Sequence, residues 1–546
     1  MRRALAAVGS PVGLPALSPI VQLILRLVGL GLVDALALFL AVNIWDDGNW
    51  FLSVAIVLTT VFVNVMNLVP RLWPMRWMTP AMMLIGLLAV YPMIYTGYVS
   101  LTNYSEGNRQ TKVEVIERLE TETQYFYLPE GASNYFWTLF RNPEIEGQTK
   151  GKYALWLVDE VSGETFFTEE GQALEAVTPY ETGTEPFDDQ GIPASYKGYE
   201  QIKIFELLKD EAEKDYFFSL TFGGKDNPIG IVAMNKAGNY RQRWYWEEDR
   251  NAFRDDMTGM YYQATDEGQF VAPNNEEAPL GFWKFIGLEN YKEVFTSSLK
   301  DGPLLAVFLW TVAFSFFSVL TAFSVGLLMA LLLEGYPFAR YIRSLLLIPW
   351  AIPGMIGILI WRGMLRGTDG VIPAVMRDLF NWAPPFFTDP GWAKFAILLV
   401  NLWFAYPYFM LITSGTLQSI PAALYEAAEV DGANVWSKFW KVTLPLLLVS
   451  VGPLLVASFV FNFNNYLLIE ALNGGGPQMT EPYAPPVGHT DNLITYTYNY
   501  AFSSGGGGGN FGLASAIAVL IFFIVGMLTI FQFQLTRRWE EVGENV

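Results

Sequence analysis

Seven residues stand out for what they could bind. Asn401, Phe404, Ala405 and Tyr408 are spaced i, i+3, i+4 and i+7, which places them on one face of a helix. Phe461 and Asn465 are spaced i, i+4, with Asn462 beside them. Both sets fall in stretches apolar enough to lie at membrane depth. Uncharged amides satisfy hydroxyl groups and aromatic ring faces cover C–H surfaces, so two such faces around a shared cavity suit a sugar. The competing reading is that an intramembrane Asn simply hydrogen-bonds a neighbouring helix, which is common in membranes.

A second stretch has a different character. "YEAAEVDGANVWSKFWKVTLPLL", residues 425–447, lies between two strongly apolar segments. Pro421 suits the first turn of a helix, where its missing N–H costs nothing. Residues 421–430 then predict about three turns, and Gly432 after Asp431 can take the left-handed conformation that stops them. Asn434 can cap a second helix with Val435, Phe439 and Val442 on one face, and Pro445 marks the start of the next apolar segment. The pattern predicts a helix-turn-helix at a membrane surface, with small residues and a carboxylate facing outward. A bland interfacial helix needs neither a glycine at a fixed corner nor Glu-Ala-Ala.

Other chemistries are excluded. The chain lacks cysteine and has one histidine, His489, which removes thiolate and multi-histidine metal sites and any Ser-His or Cys-His pair. No GxxxxGK[ST] phosphate loop occurs; Gly474–Gly476 and Gly505–Gly509 lack the following Lys-Ser/Thr and read as flexible turns. No cofactor, metal or nucleic acid is expected to bind this chain.

The elements that must position these residues are membrane helices. The chain is 52% hydrophobic and only 16% charged over 546 residues. Eight apolar spans are predicted, at about 24–45, 50–70, 80–101, 304–334, 342–365, 393–417, 446–470 and 513–535. With both termini inside, the pairs Arg71/Arg76, Arg340/Arg343, Lys438/Lys441 and Arg537/Arg538 all fall on the cytoplasmic side. Arg2, Arg3 and the prolines before the first span read as a retained cytoplasmic arm. Three regions follow: 1–101 with spans one to three, an exported insert at 102–302, and a core at 303–546 with the 419–445 loop on the cytoplasmic face.

The insert holds 37 acidic and 19 basic residues, a net of −18 out of the chain's −19. Its aromatic content argues for a folded domain. "KYALWLVDEVSGETFF" reads as two strands around a Ser-Gly turn, and residues 215–246 as three more strands. "TKVEVIERLETE" and "QIKIFELLKDEAEK" look helical. The acidity is either simple solvation or a docking surface for a soluble partner.

Glu426-Ala427-Ala428, Gly432, nine further residues and Val442-Thr443-Leu444-Pro445 resemble the EAA loop of ABC importer permeases, where Ile usually stands at the position of Val442. "FIGLENYKEVF" resembles the segment preceding the core of sugar permeases. Eight spans with a large exported domain after the third is the plan of the maltose/maltodextrin permeases, and "NLWFAYPYFM", "ASFVFNFNNYLLIEALNGGGP" and "LITYTYNYAF" resemble them nearly residue for residue. The likeness covers about 280–540 in sequence and the insert in position and size.

The resemblance implies an all-α polytopic fold with an inserted β-rich domain, in the bacterial inner membrane and its lipid. The partners it implies are a second homologous permease subunit, a homodimeric cytoplasmic ATPase that binds ATP and Mg, and an extracytoplasmic sugar-binding protein. Glu426, Ala427, Ala428, Gly432, Leu444 and Pro445 would couple to the ATPase. Trp350, Gly354, Asn401, Phe404, Ala405, Tyr408, Phe461, Asn462 and Asn465 would contact maltose or a maltodextrin. Trp350 replaces a family Tyr and Gly354 a family Ser, in "PWAIPG", whose prolines Pro349 and Pro353 break span five and expose backbone to a cavity, so another disaccharide such as trehalose stays open. A membrane-anchored sensor would explain the insert but not the EAA loop. An ion-coupled transporter would want ionisable residues at mid-membrane, and spans four to seven are nearly free of them.

Overall fold

The computed structural model describes residues 19–544 except 47, 146, 148, 208, 225–227, 234–235, 368, 481–482, 484 and 503–508. The arm carrying Arg2 and Arg3, most of the Gly505–Gly509 run and the side chains of Arg537 and Arg538 lie outside the described residues.

Among the described residues, seven helices are long and apolar enough to cross a membrane: Ile24–Asp46, Trp50–Leu68, Pro74–Val99, Leu304–Leu332, Pro390–Ser419, Val435–Phe463 and Phe511–Phe531. The stretch expected as span five is in pieces, Ala339–Leu346, Ile348–Ala351 and Gly354–Leu365. Proline is the reason. Ile352 precedes Pro353 and is extended (φ −77°, ψ 132°), because a residue before proline is pushed out of the helical region. The architecture is thus seven continuous helices and one interrupted stretch, which keeps the number five below.

Span seven also departs from expectation. The second helix of the predicted helix-turn-helix is not separate: Val435–Lys438 runs through a π-helical turn at Phe439–Thr443 into Leu444–Phe463. The missing N–H of Pro445 fits there, since the first helical turn after a register change can spare a donor. The far end comes early, at Phe463, and Asn465 instead caps a new helix, Tyr466–Asn473. The i, i+4 relation expected for Phe461 and Asn465 is therefore not a helical one.

The core packs through small residues, as expected where lipid offers no hydrophobic drive between helices. A Cβ on Gly326 of span four would fall 2.7 Å from the Met410 backbone nitrogen of span six, so glycine is required there. Trp310, Phe314, Ile358, Ile397, Val400 and Leu468 fill the space between spans four, five and six. Spans one and two are mostly exposed in the single chain, with Leu32, Leu36, Phe39 and Leu58 facing outward. Asp34 and Asn64 tie them together, the Asn64 Nδ2 donating to the Asp34 carboxylate at 2.7 Å.

Between spans three and four stands the β-rich insert. Strand β1 (Asn134–Arg141) pairs antiparallel with β2 (Tyr153–Asp159), and β2 with β3 (Thr165–Glu169), around a turn with Gly163 at φ 71°. They lie near the middle of a nine-stranded sheet, and a four-stranded meander follows from Trp244 to Val271. Lys112–Thr121 is helical as expected, with a Thr111/Glu114 capping box. "DYFF", expected as a strand, instead ends a helix, Glu211–Phe218, whose Phe217 is buried against Trp137 and Tyr153. Tertiary burial of that one ring outweighs the β propensity of the Tyr-Phe-Phe run.

The two ends of the insert are clasped. Asn290 Nδ2 donates to the carbonyls of Ser100 (2.9 Å) and Thr102 (2.8 Å), and Thr102 bridges Phe285. The Gly512 N–H then donates to the Tyr104 carbonyl, joining the start of span eight to the same clasp.

Candidate functional site

All nine residues expected at the sugar path surround one cavity of about 550 Å³. Spans six and seven supply Asn401, Phe404, Ala405, Tyr408, Phe461 and Asn462; the broken span five supplies Trp350 and Gly354. Asn465 comes from the turn after span seven.

The break in span five is held by a side chain from span six. Tyr406 donates its hydroxyl to the Leu346 carbonyl at 3.1 Å, satisfying a backbone group that the interruption frees. Phe404 is fixed from the other side. A Cβ at Gly357 would fall 2.5 Å from its ring, so the ring lies against bare backbone. Gly354 differs, because its nearest neighbour in the Cβ direction is Leu467 at 3.9 Å, which leaves room for a small side chain.

The two central amides meet. Asn401 Nδ2 donates to Asn462 Oδ1 at 3.0 Å, and Asn462 Nδ2 donates to the Ser458 carbonyl at 2.8 Å. They are 6% and 5% exposed, so this bond ties span six to span seven. The helix-bonding role therefore applies to these residues even as they line the cavity. Each amide retains further donor or acceptor capacity. Asn465 spends its side-chain oxygen Oδ1 on the Leu468 N–H at 3.3 Å. The aromatics are open: Phe461 is 71% and Trp350 56% exposed in the single chain.

Ser318, Ile358, Phe409 and Ser458 also line the cavity and were not anticipated. A signal existed for Ser318. Thr311, Ser315 and Ser318 repeat at i, i+4, i+7 on span four, and all three are fully buried. Thr311 and Ser315 bond back to carbonyls four residues earlier, whereas the Ser318 hydroxyl has no partner.

The predicted corner at Gly432 is present. Gly432 takes φ 77°, and the Ala433 and Gly432 N–H groups donate to the Ala428 and Glu429 carbonyls, closing helix Ala422–Val430 as a Schellman motif. Asn434 caps the next helix by accepting from Ser437 N–H at 2.8 Å. Tyr425 hydroxyl meets Thr443 Oγ1 at 3.0 Å, and Lys438 binds Glu429 at 2.7 Å, holding that carboxyl below its usual range. Glu426, Ala427, Gly432 and Pro445 are exposed, and Ala428 and Leu444 half-buried. Val435, expected to share a face with Phe439, is 77% exposed although Phe439 N–H still bonds its carbonyl; the π turn that starts at Phe439 shifts Val442 instead.

The glycine triplet is not a loose turn. Gly474 and Gly475 sit at φ 59° and 76°, and a Cβ on Gly475 would strike the Asp491 carboxylate. Asp491 is 2% exposed and accepts from Gly488 N–H (2.7 Å) and Thr495 Oγ1 (2.8 Å). Burial pushes its carboxyl up to about 6 from 3.8. A raised carboxyl favours the folded state while protonated, so that stability is present below the ordinary value and lost as pH rises through 6. Asp491→Asn should therefore flatten this part of the pH profile of thermal unfolding. Through this group the wild type should lose up to about 3 kcal/mol between acid and alkaline pH, taking about 1.36 kcal/mol per unit, and the variant should not; an unchanged pH profile in the variant would refute it.

The comparisons with known proteins fit this geometry. Residues 297–540 match the binding-protein-dependent transport system inner membrane component, and 83–171 the N-terminal part of the membrane subunit in such ABC transporters. The maltose/maltodextrin transport system permease protein MalF of Vibrio parahaemolyticus is 31% identical over 85% of this chain and 85% of its own length. This chain belongs to the MalF family of ABC importer permeases. MalF of Escherichia coli K12 is 30% identical over 93% of the chain and 96% of its own length. The likeness thus extends through the insert. A solved bacterial ABC transporter involved in import of the polysaccharide alginate covers 46% of this chain and 84% of its own, at 22% identity and TM-score 0.39. In the MalF family ATP hydrolysis belongs to a separate ATPase subunit, so the chain is a permease and not an enzyme.

Proposed function

We propose that this chain forms half of the path for maltose or a maltodextrin in an ATP-driven importer. The observation that carries the reading is the convergence of nine amide, aromatic and small residues on one cavity whose described lining holds no Asp, Glu, Lys, Arg or His. A neutral polar lining suits a neutral, hydroxyl-rich ligand and gives an ion-coupled cycle nothing to titrate.

On this reading a homologous permease subunit covers the open faces of Phe461 and Trp350. A homodimeric cytoplasmic ATPase, carrying ATP and Mg, docks on Glu426, Ala427, Ala428, Gly432, Leu444 and Pro445. An extracytoplasmic binding protein delivers the sugar, with the acidic insert at 102–302 on its side of the membrane. The basic pairs support a reading with both termini in the cytoplasm of a cell whose inner membrane holds the complex. Membrane lipid then covers the outward residues of spans one and two. Closure of the ATPase dimer would rock the permease halves between two states, as alternating access needs.

Trp350 and Gly354 favour a second reading of the substrate. A wider indole beside an empty Cβ position changes the cavity where the resemblance expects Tyr and Ser, which suits another disaccharide such as trehalose. The test is ATPase activity of the complex, reconstituted with its binding protein, across a sugar panel. Severalfold stimulation by maltose or maltotriose is expected. Stimulation by trehalose alone selects the second reading, and no response to any sugar overturns both.

A further inference from the structure

The segment between spans seven and eight contains a buried polar network that reaches the cavity at one point. Thr490, Asp491, Asn492 and Thr495 are all at most 2% exposed. Asn492 and Thr495 bond reciprocally, each backbone N–H donating to the other's side-chain oxygen at 3.0 Å. Thr495 Oγ1 also bonds Asp491, and Asp491 accepts the Gly488 N–H.

Span four anchors the whole. Trp310 Nε1 donates to the Thr490 carbonyl at 3.0 Å, and Leu493 N–H donates to Thr311 Oγ1 at 2.9 Å. On its other side, among the described residues, the network touches the cavity wall through a single bond. Asn492 Nδ2 donates to the backbone carbonyl of Asn465 at 3.1 Å. Asn465 sits in the two-residue turn that ends span seven, three positions beyond Asn462, and it is itself a lining residue.

We propose that Asn492 is a positioning residue for the substrate cavity. It does not line the cavity. It fixes the turn after span seven to span four, and so sets where the Asn465 amide stands relative to Asn462 and Phe461. The turn's own bonds are all local. Asn464 reaches back to the Val460 and Phe461 carbonyls, Asn465 N–H to the Asn462 carbonyl and Tyr466 N–H to the Asn464 carbonyl, and Asn465 Oδ1 takes the Leu468 N–H, all between the turn and its flanking helices. The bond from Asn492 comes from outside it, across 27 residues of sequence. Losing an external tie of that strength moves a ligand-facing group more readily than it unfolds a helix.

The inference rests on the cavity being the sugar path, so the experiment separates the two. In the full importer complex, Asn492→Ser keeps a side-chain oxygen able to accept Thr495 N–H, as serine does ahead of a helix, adds no charge, and is too short to reach the Asn465 carbonyl. Thr495→Val breaks the reciprocal box and leaves that donor in place. Half-saturation for maltose uptake is measured beside thermal stability and ATPase copurification, with Asn462→Ala as a reference. Asn492→Ser is expected to raise half-saturation about fivefold, the weight of one hydrogen bond, with maximal rate and copurification unchanged. Thr495→Val should lower thermal stability and leave half-saturation at the wild-type value. Asn492→Ser acting only on stability, or the two variants behaving alike, overturns the positioning role. If Asn462→Ala leaves half-saturation unchanged as well, the sugar path itself is misplaced and both readings fail together.

Discussion

Gly432→Val is expected to cut sugar uptake by more than about tenfold, the consequence of losing roughly 1.4 kcal/mol or more at a docking contact. Gly432 holds φ 77°, a conformation that costs an L-residue roughly 1–2 kcal/mol and a β-branched one more. The Schellman bonds that close helix Ala422–Val430 depend on it. Yet a Cβ at Gly432 meets nothing within 4 Å, so the substitution disturbs no packing inside this chain. Any steric penalty beyond the turn must come from a partner. Glu426→Lys is the companion variant: the residue is exposed, and reversing its charge should weaken ATPase docking while the helix stands. ATPase copurification and uptake, measured on both variants, decide the matter. Wild-type uptake in both would place coupling elsewhere.

How much of this was legible in the sequence depended on how local the cause was. The corner at Gly432 was readable because its determinants, Asp431, Gly432 and Asn434, act within one turn. The break in span five was readable from Pro349 and Pro353, although the sequence suggested one interrupted helix and the structure has three pieces. The β1–β2–β3 pairing followed from the apolar arms around Gly163. Each of these reflects backbone chemistry of neighbouring residues.

The misses share the opposite property. The π turn at Phe439–Thr443 joins the surface helix to span seven, and nothing in "KFWKVTLP" distinguishes it from a helix break before Pro445. Span seven ends at Phe463 because Asn465 finds Leu468 N–H to cap and Asn492 finds the Asn465 carbonyl. The second of those partners is 27 residues away. Gly474–Gly476 looked like slack in the chain, but Asp491 and Gly488 are packed against it, and only folding brings them there. Tertiary partners turned a composition that usually signals mobility into a fixed junction.

The amide pair is where the two readings of an intramembrane Asn compete most directly. Asn462→Ala is expected to lower uptake roughly tenfold, since one hydrogen bond to a hydroxyl is worth about 1 kcal/mol and a stranded buried partner adds to it. That stranded partner exists: Asn401 Nδ2 loses its 3.0 Å acceptor. The same loss weakens the tie between spans six and seven, although such interhelical bonds average only about 0.6 kcal/mol in membranes. A decrease in uptake from this variant alone therefore mixes two causes. Phe461→Ala separates them. Its ring is 71% exposed in the single chain, so removing it costs the fold little, and a comparable fall in uptake must come from whatever the ring covers in the working complex. Trp350→Tyr should shift preference among sugars more than it changes the maximal rate, because it reshapes the wall beside the open Gly354 position. Uptake, sugar-stimulated ATPase activity and copurification are measured on each variant. Asn462→Ala dismantling the complex while Phe461→Ala transports normally would make the amide pair a helix tie, and the sugar would have to pass elsewhere.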